Sequence, residues 1–89
     1  KIIVYERWWE VSIKIIGDNS SNRIKLLKNL NKATKDMNNK IEINILDDEK
    51  TLEMYKSINK PIFIINEKII SNGKILTDKE IKKYIKLFA

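Results

Sequence analysis

The chain has no cysteine and no histidine. That removes disulfides, thiolate and imidazole metal sites, cysteine nucleophiles and every histidine-dependent triad in one step. Proline occurs once, as Pro61, and glycine twice, as Gly17 and Gly73, so strong backbone breaks are few. Aromatic residues make up only 8% of the sequence. No apolar run approaches the roughly 20 residues of a bilayer-spanning helix. The opening KIIVYER is too short and too soon charged for a signal peptide, which makes the cytoplasm the expected compartment. The first residue is Lys rather than Met, so a trimmed leader stays open.

What is present fits one small domain. Eighty-nine residues, 43% of them hydrophobic, suffice for a single apolar layer between a sheet and its helices. The formal net charge of +6 comes from lysine, and the ordinary reading is a solvated basic surface. Residues 1–7 and 11–16 (VSIKII) read as strands, joined by Arg7-Trp8-Trp9-Glu10 without a turn signal. A helix is expected from Arg23 to about Asn38. Ile24, Leu27, Leu30, Ala33, Thr34 and Met37 form its buried stripe, with Lys25, Lys28, Lys32 and Lys35 opposite. IEINIL (41–46) reads as a strand. Asp47-Asp48-Glu49 then caps a short helix reaching about Ile58; acids in a first turn need no metal to explain them.

Asn59-Lys60-Pro61 breaks that helix, and IFII (62–65) and KIIS (68–71) make a hairpin across Asn66-Glu67. Thr77-Asp78-Lys79-Glu80 is a capping box. The last helix should bury Ile81, Tyr84, Ile85 and Phe88 and expose Lys79, Lys82, Lys83 and Lys86. A strand-helix-strand unit demands a right-handed crossover and parallel pairing, while the hairpin is antiparallel. The expected fold is therefore α/β: a mixed four-stranded sheet with helices on both faces and an extra N-terminal strand. It forms one domain over 1–89, with 1–10 an extension and 11–89 the core.

This element order resembles the thioredoxin fold, and the nearest likeness is to small glutaredoxin-like redox-disulfide proteins. Ile58 to Lys74 carries most of it, with a Pro opening the third strand, Ser71-x-Gly73 at matching spacing and the closing GluIle-Lys-Lys-Tyr-Ile helix. In that family a Cys-x-x-Cys sits where the first strand turns into the first helix. Those two positions fall here on Ser20 and Arg23, so the resemblance implies a redox site without its sulfurs. Neither serine of Ser20-Ser21 has a base to activate it, and helix capping is the expected role. No residue is expected to be catalytic, and no metal or cofactor is expected. The resemblance also implies a cis proline at Pro61, with Lys60 before it pairing its backbone to an extended peptide. A lysine there points to an acidic peptide.

Trp8 and Trp9 are adjacent strand residues facing opposite ways, so at least one is a candidate partner contact. In the family the first and last helices cover the same side of the sheet, which gathers the two lysine stripes into one basic face. The expected function is a redox-inactive, protein-binding or adaptor module. The alternatives are a Cys-free form, decayed or substituted, of a glutaredoxin-like oxidoreductase and a basic binder of nucleic acid or a membrane surface. The expected partner is a protein, an acidic surface suiting the lysines. Nucleic acid and anionic membrane rank behind it, and self-association could run through the N-terminal strand.

Overall fold

The computed structural model describes residues 10–37 and 40–88. Its elements are β1 (Glu10–Ile16), α1 (Ser21–Thr34), β2 (Lys40–Leu46), α2 (Glu49–Met54), β3 (Ile62–Ile65), β4 (Lys68–Asn72) and α3 (Asp78–Phe88). The strands form one sheet in the order β2-β1-β3-β4. β1 and β2 are parallel, with Ile13 opposite Ile43, whereas β1–β3 and β3–β4 are antiparallel. The α/β architecture and mixed four-stranded sheet expected from the sequence are thus present. The expected N-terminal strand, Trp8 and Trp9 lie outside the described residues, as do Asn38 and Asn39.

Strand alternation sorts the side chains. Val11, Ile13, Ile15, Phe63 and Ile65 point to one face, where Leu26, Leu30 and Ala33 of α1 and Ile81 and Ile85 of α3 close over them. Each fully buried Ile or Leu contributes about 1.5–3 kcal/mol of transfer free energy, so this layer carries most of the stability. The opposite face is thinner. Ile16, Ile62 and Ile64 are its buried residues, covered by half-buried Leu46, Leu52, Tyr55 and Ile58.

Three expectations are corrected here. Ile24 is 51% exposed rather than buried. The stripe that faces the sheet is Leu26-Leu30-Ala33, and the spacing i, i+4, i+7 leaves Ile24 on the outer side of the helix. The second helix stops at Met54 instead of running to Ile58. Beyond it the chain tightens into turns, with Ile58 N–H donating to Tyr55 O at 3.0 Å. Lys60 Nζ then donates to the carbonyls of Tyr55 (2.8 Å) and Ile58 (3.1 Å). In α3, Ile81 and Ile85 are buried as expected, but Tyr84 and Phe88 are only half-buried on its flank.

One turn residue ties the far end of the sheet together. Asn66, at φ 47° in the β3–β4 connection, exchanges hydrogen bonds with Ser12: its N–H donates to Ser12 O and its Oδ1 accepts from Ser12 N–H. Its Nδ2 donates to Phe88 O at 3.0 Å, so the start of β1, the hairpin tip and the end of α3 meet there.

Candidate functional site

The site grows from the other end of the sheet, where β1 stops. Gly17 extends the parallel ladder by one bond, its N–H donating to Leu46 O at 3.2 Å. The chain then turns through Asp18 and Asn19 into α1. Ser20 is the N-cap: extended backbone, with Oγ accepting from Arg23 N–H at 3.3 Å. This satisfies one of the amides that a helix start leaves without an intrahelical partner.

Arg23 is not a solvated arginine. Its side chain is only 11% exposed, and its guanidinium donates to Asn19 Oδ1 at 2.8 Å and to Asp47 Oδ2 at 3.4 Å. Nε is buried with no hydrogen-bond partner among the described residues. The residue therefore fastens the β1–α1 turn to the loop between β2 and α2, and most of its charge is answered internally.

Gly17, Arg23 and Pro61 meet. A Cβ built on Gly17 would stand 3.5 Å from Pro61 Cα and 3.8 Å from Arg23 Cγ, ordinary packing distances. The Lys60–Pro61 peptide bond is cis. Pro61 O accepts from Gly73 N–H at 2.9 Å, which brings the end of β4 alongside. Gly73 has φ +70°, and a Cβ there would come within 2.9 Å of Asn59 Cβ, so both conformation and space require glycine. Gly17 and Pro61 are themselves buried, so the surface at this place is made by exposed Ser20 and Gly73 and half-buried Arg23 and Lys60. The Lys60 backbone makes no hydrogen bond among the described residues. Its ammonium is spent on Tyr55 O and Ile58 O, so it lends no support to an acidic peptide preference.

Around the rim, Asp48 caps α2, and Thr51 donates to its Oδ2 through both hydroxyl and amide at 3.0 Å. The Thr51 hydroxyl first, then the Thr51 amide, hold the Asp48 carboxyl below its ordinary value. The capping box of α3 forms as expected: Thr77 N–H donates to Glu80 Oε1 at 2.9 Å and Glu80 N–H to Thr77 Oγ1 at 3.1 Å. Among the described residues no group of three or more acidic side chains could hold a metal ion. No described helix is long and apolar enough to cross a membrane.

The structure brings Ser20, Arg23 and Pro61 to one place and sets the lysines elsewhere. Lys25, Lys28, Lys32 and Lys35 are exposed along or just beyond α1, and Lys79, Lys83 and Lys86 along α3, with Lys82 half-buried. The sequence gives no sign that Arg23 is inserted into the turn. The nearest hint is the cluster of short polar residues before it, Asp18, Asn19 and Ser20, which can accept its donors.

The family model for the thioredoxin domain matches residues 11–86. Among curated proteins and among solved structures nothing matches significantly. The matched span runs from the second residue of β1 to within three residues of the chain's end and takes in the Gly17 turn, Pro61 and Gly73. The chain belongs to the thioredoxin domain family.

Proposed function

We propose that this thioredoxin domain is a non-catalytic module that binds a protein segment in extended form. One observation carries the reading. The 89 residues contain no thiol, yet buried Gly17 and Pro61 pack beneath a surface of Ser20, Arg23, Lys60 and Gly73 in which the Lys60 backbone has no hydrogen bond among the described residues. Ser20 and Arg23 are built into the turn as a cap and a tie, so they have local structural work and neither is poised for chemistry. The unbonded Lys60 backbone suits strand-like addition of a peptide, in which main-chain bonds give affinity and side-chain pockets give selectivity.

The test is selection of random peptides against the domain, followed by amide shift mapping with the selected sequences. Shifts centred on Gly17, Ser20–Arg23, Lys60 and Gly73 support the reading. Peptides that bind only elsewhere would overturn it. The alternative, an oxidoreductase in Cys-free form, rests on Ser20 and Arg23 sitting three residues apart at a helix start. The doubly substituted Ser20→Cys/Arg23→Cys chain should close a disulfide on mild oxidation and leave no free thiol by titration. Turnover of a disulfide substrate by that variant would favour the alternative, and closure without turnover would not.

A further inference from the structure

The outer surface of α1 and α3 is the strongest unassigned feature. Both helices lie on the same face of the sheet, sharing one core. Their flanks are set by two contacts. Asn29 Nδ2 donates to Leu76 O, just before α3, so that side of α1 looks toward α3. Lys25 and Lys32, at i−4 and i+3 from Asn29, flank that side. On α3, Lys68 of β4 stands 5.9 Å from the Phe88 ring centroid, which turns the Phe88 flank to the β4 edge and the lysines the other way. The two lysine stripes thus converge over the seam between the helices.

Among the described residues, none of these lysines has a carboxylate within ion-pair distance. The four ion pairs among the described residues join Lys14 to Glu67, Arg23 to Asp47, Lys40 to Glu10 and Lys56 to Glu53. α1 contains no acidic residue, and those of α3 are confined to its first turn. A shallow trough of about 450 Å³ runs along α3, lined by its lysines and Leu87. Leu87 is 67% exposed and Ile24, at the start of α1, is 51% exposed. α1 leaves the sheet at the Gly17 end and α3 finishes at the Asn66 end, so these two aliphatic side chains mark opposite ends of one cationic face.

We infer that this face docks on the surface of an anionic lipid bilayer. The chemistry separates it from the other anionic partners. Protein interfaces are enriched in arginine and aromatics and depleted in lysine, and this face is all lysine. A nucleic-acid backbone would accept lysines but offers nothing to cover exposed Ile24 and Leu87. A bilayer surface satisfies both: phosphate and carboxylate headgroups meet the ammonium groups, and the aliphatic ends enter the acyl boundary. The inference stands independently of the surface around Lys60 and Gly73.

The test is co-sedimentation of the 89-residue chain with vesicles of phosphatidylcholine alone and with phosphatidylserine added. Binding is expected only with phosphatidylserine, weakening as salt rises. Lys83→Gln with Lys86→Gln should lower the partition coefficient roughly five-fold per lysine, and Leu87→Ser should lower it several-fold at unchanged charge. Lys50→Gln with Lys56→Gln, on the α2 side, should leave it unchanged. Equal binding to both vesicles, no binding to either at low salt, or equal loss in the Lys50/Lys56 variant would overturn the inference. So would preferred binding to random-sequence duplex DNA with indifference to Leu87→Ser. Circular dichroism of each variant keeps a folding defect from being read as lost docking.

Discussion

The two faces of the sheet are built to different depths and finished with different surfaces. Over α1 and α3, a continuous cluster of buried aliphatics surrounds Phe63, and the lysines of the exterior make no ion pair among the described residues. Over α2, only Ile16, Ile62 and Ile64 are buried, the helix buries none of its own residues, and Lys56 pairs with Glu53 while Lys14 pairs with Glu67. Neighbouring lysines on one helix repel by a few tenths of a kcal/mol per pair. A helix anchored by Leu26 and Leu30, or by Ile81 and Ile85, can carry that load. The six-residue α2 cannot, and it relies on its cap and its ion pair instead. Unbalanced charge is found where the core is deep enough to tolerate it.

That contrast can be broken most severely at its centre. Phe63→Ala, at a fully buried position in the deep layer, should cost about 3–5 kcal/mol in chemical denaturation. Met54→Ala, on the thin side and 71% exposed, should stay within about 0.5 kcal/mol. A comparable loss at Met54 would mean that α2 contributes far more than its exposure implies. Gly73→Ala comes next. With φ +70° and a 2.9 Å clash against Asn59, it should cost at least about 1–2 kcal/mol and loosen the Pro61 end of the hairpin. Full stability in that variant would show that the backbone there can relax.

Smaller effects sharpen the picture of the caps. Ser20→Ala should destabilise α1 by about 1 kcal/mol, read by the denaturation midpoint. For α2 the signature is a pH dependence. Folding lowers the Asp48 carboxyl, so its contribution is complete above the unfolded value and is lost as pH falls through the lower, folded one. Asp48→Asn should therefore flatten that stretch of the acid limb in stability measured against pH. An unchanged acid limb would place the acid sensitivity on other carboxylates.

Much of this fold could be read from residue order alone, because its signals are periodic or carried by rare residues. Alternation in VSIKII and IEINIL, the capping boundaries at Asp48 and Thr77, and the breaks at Pro61 and Gly73 each report a local backbone preference. The stripe in α1 was harder. Ile24, Leu26 and Leu27 offer two overlapping stripes, and only docking onto the sheet decides that Leu26 goes in and Ile24 stays out. The site was legible as a place and less so in detail. Ser20 capping follows from its type and position. The tie from Arg23 to Asn19 and Asp47, and the engagement of Lys60 with Tyr55 and Ile58, depend on long side chains finding partners across loops. No spacing rule announces such contacts.

Asn66 has a consequence for handling the domain. By binding Ser12 on one side and Phe88 on the other, it gathers the start of β1 and the end of α3 at the pole remote from Gly17 and Pro61. A biotin or linker attached on the C-terminal side of Phe88 would hold the domain from behind, with the Ser20, Lys60 and Gly73 surface facing outward. Sensor chips and display scaffolds need that orientation, and here it comes without redesign.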